Sequence, residues 1–525
     1  MSDGTPPYRT IPEVISGAAG RYGDAIWIRS DEGSMSFGAA LAQTAACARA
    51  LRESGVRRGD LVLVTLRTTP PYLLCWLALA SIGAITVSAN PRSSPAELAG
   101  LAQQTRPRAI ISDAGLSPLI TESDIAGLAG LGVLDADELT HGWAGARAAG
   151  AGDTVLPPPG TSVSHDDVAV IIPTSGTTGR SKLVTQSHRA YAMAGEGFPY
   201  WMGLTAADRL MTSLPLFHIN APAYSVMGSL TCGAGLVLLP RFSASTFLDS
   251  ARRHGATEFN AIGAMLEILM RQPARADDAD TPLRLCYTGP APARERQEEM
   301  ERRFGLRIVV GYAMSESPYG LIWPHGSRPY ETLGSLRQHP RLGVVNEGRV
   351  VGDGGKDLPA GQTGELLLRN PVITPGYWGM PEETAEAITS DGWLHTGDLV
   401  TVDETGTYTF VARRKEVLRR RGENLSPAEV EEALASHPAV LECAVVGVAS
   451  ELSEEDVKAF VVPAPGVQLD FAQLRAYVAG LLAAYKVPRY WQAVDDLPRT
   501  PTSRVAKHRL PSGHPPGEYD AEAVS

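Results

Sequence analysis

Ile171-Ile172-Pro173-Thr174-Ser175-Gly176-Thr177-Thr178-Gly179-Arg180-Ser181-Lys182-Leu183 joins an apolar stretch to a loop dense in hydroxyls and glycine that carries one lysine. Val168 to Ile172 reads as a buried strand. Gly176 and Gly179 let the backbone after it turn tightly and bring N–H groups close to an anion. Ser175, Thr177 and Thr178 add hydroxyl donors, and Lys182 adds a fixed positive charge. This is the composition of a phosphate-handling loop, although the same residues also describe a plain polar surface loop. A Gly-x-x-x-x-Gly-Lys-[Ser/Thr] frame counted from Gly176 meets Ser181 where the second glycine should stand, which disfavours a Walker loop and with it a kinase or GTPase.

The sequence around this stretch alternates helical and strand patterns. Phe37 to Ser54 is an alanine-rich helix, Leu61 to Leu66 a short buried strand, Ile85 to Ser88 another, Pro95 to Gln104 a helix with proline in its first turn, and Ala109 to Ser112 a strand. This β-α-β rhythm predicts mostly parallel sheets covered by helices on both faces. Asp357 to Asn370 and Thr407 to Ala412 read as antiparallel strand material. From Lys415 an α+β unit follows, with helices Pro427 to Ser436 and Asp470 to Leu482 and strands Glu442 to Val448 and Val457 to Val462. Residues 145–165 are a Gly/Pro/Ser-rich connector.

At 525 residues the chain exceeds the ~250–300 at which single cores stop growing, so at least two domains are expected. The net charge of −11 serves solubility rather than a charged partner. Cys47, Cys75, Cys232, Cys286 and Cys443 are scattered without a Cys-x-x-Cys pair, which argues against structural zinc or a disulfide scaffold and for a reducing, cytoplasmic setting. Met1 to Thr10 is polar and lacks the apolar core of a signal peptide. The most apolar stretch, Tyr72 to Val87, is shorter than the ~20 residues of a spanning helix. It reads as a buried helix running into a strand, with no stable membrane insertion.

The run Thr174-Ser175-Gly176-Thr177-Thr178-Gly179-Arg180-Ser181-Lys182 resembles the nucleotide loop of the adenylate-forming superfamily, which includes acyl-CoA synthetases, luciferase-type enzymes and peptide-synthetase adenylation domains. Four further blocks follow in that superfamily's order, so the resemblance covers nearly the whole chain. Gly289-Pro290-Ala291 resembles the segment lining the adenine slot, and Gly311-Tyr312-Ala313-Met314-Ser315-Glu316 the one that stacks an aromatic on adenine and places a glutamate on magnesium. By that resemblance Tyr312 is the stacking face and Glu316 the metal ligand; by itself Glu316 also reads as a solvated loop carboxylate. Ala313 and Pro290 stand where the family usually has glycine. His395-Thr396-Gly397-Asp398 resembles the segment whose aspartate accepts hydrogen bonds from both ribose hydroxyls, a natural role for a carboxylate. Arg413 and Lys415 then correspond to a ribose contact and to the hinge about which a small domain rotates, with Ala412 replacing a glycine. By the same resemblance, Gly422, Glu423 and Asn424 would border the tunnel for the CoA thiol. The basic run Arg413 to Arg421 also reads as a charged face, but with this net charge nucleic acid is disfavoured.

The last block, Pro498-Arg499-Thr500-Pro501-Thr502-Ser503-Arg504, departs from the resemblance. The family's terminal lysine bridges the substrate carboxylate and the α-phosphate, and ungapped alignment puts Arg504 there, with Lys507 three residues on. Arginine keeps the charge but is a planar fork. Two functions are therefore implied: an acyl-CoA ligase working through an acyl-adenylate with ATP, Mg2+ and CoA, or a half-ligase that moves the acyl group of a preformed acyl-AMP to CoA and depends on a separate adenylating enzyme. The substrate is a small carboxylic acid or its adenylate. His218 and Ile219, with the strand Phe259 to Ala264 carrying Ala261 and Gly263, fall where relatives build the acyl pocket. His218 reads either as a carboxylate-orienting group or as a core or gating histidine, and the small residues leave space for a wide apolar acyl group. The implied architecture is α/β. A large N-terminal AMP- and acyl-binding domain (1–412) of mostly parallel sheets, with a small β-barrel subdomain, precedes a hinge (413–416) and a mobile α+β C-terminal domain (417–510). The Pro-, Gly- and acid-rich tail 511–525 is expected to be disordered.

Overall fold

The computed structural model describes residues 8–141, 143, 163–174, 182–414, 418–420, 423–449, 455–482, 484–499, 505–511, 513–515 and 517–522. Leu61–Thr65, Ile85–Ala89 and Ala109–Ser112 are strands with every residue buried, the pattern of a sheet covered on both faces. They lie in a six-stranded sheet whose spatial order is Val133–Asp135, Ala109–Ser112, Leu61–Thr65, Ile85–Ala89, Val168–Thr174, Lys182–Ser187. All its pairs are parallel except the last, which is antiparallel. A nine-stranded sheet runs Ser335–Leu336, Ser317–Ile322, Arg307–Met314, Leu285–Thr288, Glu258–Asn260, Arg209–Thr212, Gly235–Leu238, Ile26–Ser30, Gly33–Ser36. Its centre is parallel and its ends are closed by antiparallel pairs.

The helices follow local signals. Phe37–Glu53 starts at Ser36, whose side chain accepts from Ala39 N. Pro95–Thr105 starts with a capping box between Ser94 and Glu97. Pro70–Ile82 is buried at all 13 positions and stops at Gly83, whose φ of 73° suits a residue without Cβ. At ~1.5 Å per residue it is about 20 Å long, and among the described residues no helix is long and apolar enough to cross a membrane.

The chain divides into two compact units, Met1–Gly348 with Leu367–His395 and Asp403–Thr409, and Arg349–Leu366 with Thr396–Val402 and Phe410–Ser525. The second unit takes in Arg349–Leu366 and Thr396–Val402, segments well before residue 412.

The second unit has its own core. Val430 and Leu434 from the helix Pro427–Ala435 and Leu474 and Val478 from the helix Phe471–Leu481 pack on Val445, Val457, Ala459, Val461 and Trp491 of a sheet. That sheet runs Val440–Ala449, Glu455–Pro463, Tyr490–Ala493, Tyr519–Asp520. Its last strand corrects the expectation of a disordered tail for the described residues there. Tyr519 pairs with Trp491 and Asp520 with Tyr490. Arg489 donates to both oxygens of Asp520 at 3.1 and 3.2 Å, and Glu518 meets the buried Lys458 ammonium at 2.5 Å. The tail's acidic composition argued for solvation, but two of its acids meet fixed cations on the sheet.

Candidate active site

Thr174 and Lys182 face each other on the last rung of the antiparallel pair Val168–Thr174 and Lys182–Ser187. Ser175, Gly176, Thr177, Thr178 and Gly179 lie between them and outside the described residues. Both ends of this loop are strands, whereas a Walker loop passes from strand to helix, so the topology separates the two as the glycine spacing did. Thr174 Oγ1 donates to Lys182 O at 3.3 Å, and Lys182 Nζ stands 4.4 Å from the centre of the Tyr377 ring. The Tyr377 hydroxyl donates to Glu316 Oε1 at 3.1 Å. Burial first, and then the Glu316 carboxylate, push the Tyr377 hydroxyl well above the ordinary phenol range, so it remains a donor.

Ser315 and Glu316 form the turn between Arg307–Met314 and Ser317–Ile322. Gln186 Nε2 donates to Ser315 O at 2.5 Å and Thr374 N to Glu316 O at 2.7 Å. Tyr377 itself is held by a bridge to Val184 and by Trp378 N donating to Leu183 O at 2.8 Å. The Lys182 cation and the Glu316 carboxylate thus meet one phenol, the first at its ring and the second at its hydroxyl. Sequence reading missed Tyr377. Its signal was an aromatic directly after Pro375-Gly376, in a stretch assigned no role.

Gly289 and Gly311 allow a close backbone approach. A Cβ on Gly289 would stand 2.7 Å from Gly311 O, and one on Gly311 2.5 Å from Tyr287 Cε2. Tyr312 is half-buried, its hydroxyl 3.9 Å from Met314 Sδ. Pro290 is exposed and Ala291 and Ala313 are half-buried, and a Cβ on Gly263 would lie 3.6 Å from Pro290 Cδ.

The expected strand Phe259 to Ala264 is corrected. The strand is Glu258–Asn260, and Gly263 opens the helix Gly263–Met270. The run Ala-Met-Leu-Glu-Ile-Leu-Met after Gly263 is made mostly of strong helix formers, which override the apolar β reading. Ala261 is buried, and Asn260 Nδ2 donates to Asn220 Oδ1 at 2.6 Å. His218 and Ile219, both half-buried, lead into a wholly buried π-helix, Ala221–Val226, an irregularity frequent at functional sites. The His218 ring lies edgewise to Phe217 at 4.6 Å.

In the second unit, Asp398 is 1% exposed and lies 3.1 Å from Arg413 Nε. Gly397 adopts φ 70°, so a glycine is required at this turn. Its N–H donates to Glu365 Oε1 at 3.1 Å, and Asp398 N donates to Thr396 Oγ1 at 3.1 Å. Arg414 pairs with Glu365 at 2.9 Å and the buried Arg420 with Asp456 at 3.0 Å. Of the described residues of the basic run, Arg413, Arg414 and Arg420 are each paired with an acid. Glu423 and Asn424 lie in the hairpin Leu418–Arg420 and Glu423–Leu425. Lys415, Gly422 and Arg504 fall outside the described residues. Lys507 is committed to Glu431 at 2.8 Å.

Two sheets of mostly parallel strands with a smaller α+β unit are the architecture of the adenylate-forming enzymes. The AMP-binding enzyme family matches residues 15–378 and the AMP-binding enzyme C-terminal domain matches 429–504, so the chain belongs to this family. It is an enzyme of the acid–thiol ligase type, an acyl-CoA ligase. The crotonobetaine/carnitine–CoA ligase of Salmonella heidelberg (strain SL476) is 32% identical over 520 residues, 96% of this chain and 99% of the relative. The solved structure of ATP-bound MatB from Rhodopseudomonas palustris matches with a TM-score of 0.82 at 27% identity, covering 95% of this chain and 98% of that one. A benzoate CoA ligase from Burkholderia xenovorans LB400 matches with a TM-score of 0.81 at 25% identity, covering 95% and 99%.

Proposed function

We propose that this ligase makes a CoA thioester in two steps. In the first, a carboxylate oxygen of the acid attacks the α-phosphorus of ATP, the bond to the pyrophosphate oxygen breaks, and acyl-AMP and pyrophosphate result. In the second, the CoA sulfur attacks the acyl carbon, AMP leaves with the electron pair of the C–O bond, and the thiol proton passes to solvent. The observation that carries this reading is the meeting of Lys182 and Glu316 on Tyr377, 4.4 and 3.1 Å away. A cation and a carboxylate in one place support a reading in which Lys182 meets phosphate and Glu316 a phosphate-bound metal.

Thr174 to Gly179 and Lys182 bind the phosphates, Gly289 to Ala291 and Gly311 to Ser315 hold adenine, and Asp398 with Arg413 holds the ribose. Glu316, half-buried and oriented by the Tyr377 hydroxyl, fits as the carboxylate that would hold Mg2+. Among the described residues there is no group of three or more metal-ligating side chains, which suits an ion that arrives with the ATP phosphates. When bound, that ion neutralises phosphate charge. Ile219, Ala261 and Gly263 border the acyl group, with His218 near its carboxylate. Rotation about Lys415 exchanges Arg504, used in the first step, for Gly422, Glu423 and Asn424, which border the CoA path in the second.

Arg504 at the lysine position favours a second reading, in which only the thioester step survives and acyl-AMP comes from elsewhere. A preorganised donor lost at the α-phosphate costs about a hundredfold in rate. Pyrophosphate exchange over a panel of acids isolates the first step, and thioester formation from supplied acyl-adenylates with CoA isolates the second. Exchange with any acid supports the full ligase. Thioester without exchange supports the second reading, and neither activity refutes both.

A further inference from the structure

Arg337 is fully buried, and the partners it has among the described residues are all uncharged groups. Nε donates to Leu321 O at 3.1 Å, Nη1 to the Tyr224 hydroxyl at 2.6 Å and to Pro318 O at 2.8 Å, and Nη2 to the Tyr287 hydroxyl. The guanidinium carbon lies 4.7 Å from the Trp201 ring, 5.1 Å from Tyr224 and 5.6 Å from Tyr287. Three aromatic rings around one cation make an aromatic cage, the arrangement by which proteins otherwise take up quaternary ammonium ligands. Here the chain's own guanidinium fills the cage.

The cage adjoins the elements assigned to the acyl slot. Tyr224 belongs to the π-helix that continues from His218 and Ile219. Tyr287 O accepts from Ala261 N at 2.9 Å. A Cβ on Gly311 would stand 2.8 Å from Arg337 Nη2, so only the glycine backbone separates the guanidinium from the far side of that strand. A buried charge whose hydrogen-bond partners among the described residues are all uncharged acts through a medium that screens poorly. A cationic acid entering here would lose its own hydration and face a like charge, which is discrimination by repulsion.

We infer that Arg337 is a specificity-determining residue: it occupies the cation seat beside the acyl slot and directs the enzyme to acids whose far end is uncharged or anionic, against acids ending in a quaternary ammonium. This rests on the ligase reading and on the acyl slot assigned with it. The test uses two acids of the same shape, 4-(trimethylammonio)butanoate and 5,5-dimethylhexanoate, which differ in a cationic nitrogen against a carbon. The unmodified enzyme should form thioester from the neutral acid with a kcat/KM about tenfold or more above that for the cation. R337M should narrow the ratio at least tenfold, and R337K, which keeps the charge, should preserve its direction. Where turnover is slow, inhibition constants of the two acids against any productive acid yield the same ratio. A preference for the cation in the unmodified enzyme overturns the inference without needing a variant, and so does a ratio unchanged in R337M; both leave the ligase reading standing. If no acid or acyl-adenylate yields thioester, the ligase reading fails and this inference falls with it.

Discussion

Tyr377→Phe removes one hydroxyl and leaves the ring in place. The lost contact is the 3.1 Å hydrogen bond to Glu316 Oε1. A hydrogen bond to a charged group contributes about 1.5–3 kcal/mol. Glu316 is only half-buried, so water partly replaces the donor and the lower end applies, about 1.5 kcal/mol or roughly tenfold in affinity. Lys182 keeps its position over the ring, and Phe preserves that cation–π contact. The variant therefore separates the carboxylate from the lysine. Isothermal calorimetry with MgATP should show a Kd about tenfold higher, while AMP in the absence of metal should bind within about twofold of the parent. Tyr377→Leu, which also takes the ring from Lys182, should weaken both ligands. Equal losses for AMP and MgATP in the Phe variant, or no loss for either, would refute the assignment of Glu316 as the metal carboxylate oriented by Tyr377.

Asp398→Ala should weaken AMP binding by about 2 kcal/mol, because two ribose hydroxyls lose a charged acceptor; unchanged AMP affinity by calorimetry would remove Asp398 from the site. Gly311→Ala should cost about 1–3 kcal/mol of stability in urea unfolding, since the new methyl would stand 2.5 Å from the buried Tyr287 ring; a neutral result would mean that this wall gives way more easily than its packing implies. Acid stability should fall in two windows. Burial, opposed in part by Asp167, holds the His188 imidazole down at about 4. Its folded pKa is below the unfolded value, so stability present above about pH 6.5 is lost as the pH falls to about 4, on the order of 3 kcal/mol. Burial raises the Glu196 carboxyl, but the His339 hydrogen bond and the Arg9 and Arg341 cations outweigh it and hold the group at about 2, so its contribution is lost between about pH 4.5 and 2. Urea midpoints against pH should lose the upper slope in His188→Leu and the lower one in Glu196→Gln, and a flat profile in the parent between pH 6.5 and 4 would contradict the first.

Much of the fold was legible because its signals are local. Ser36, Ser94 and Ser187 start helices through their own side chains, and the strands from Leu61 to Ser112 declare themselves by short, mostly apolar and β-branched runs. Capping and two-sided burial depend on a few neighbouring residues, so the chain states them directly. The motif blocks are equally local, and they assigned the chain's chemistry before any coordinates. Where local rules competed, the reading failed. At Phe259 to Ala264 an apolar run satisfies both strand and helix, and the residues that follow decide between them.

Other features depended on pairs far apart in the chain. Tyr377 acquires its place from Leu183 and Val184 on one side and Glu316 on the other. Arg337 looks like a surface arginine in a polar segment until Trp201, Tyr224 and Tyr287 are folded around it. Tyr519–Asp520 is a two-residue strand that no propensity announces, made by Arg489 meeting Asp520 and Lys458 meeting Glu518. Sequence by itself determined the class of chemistry and the order of the elements, because these follow from periodicity, caps and motif spacing. Only the tertiary structure decided which charges are paired, which ring orients the candidate metal carboxylate and which cation fills the cage, because a side chain's electrostatic partners are chosen by contacts across hundreds of residues.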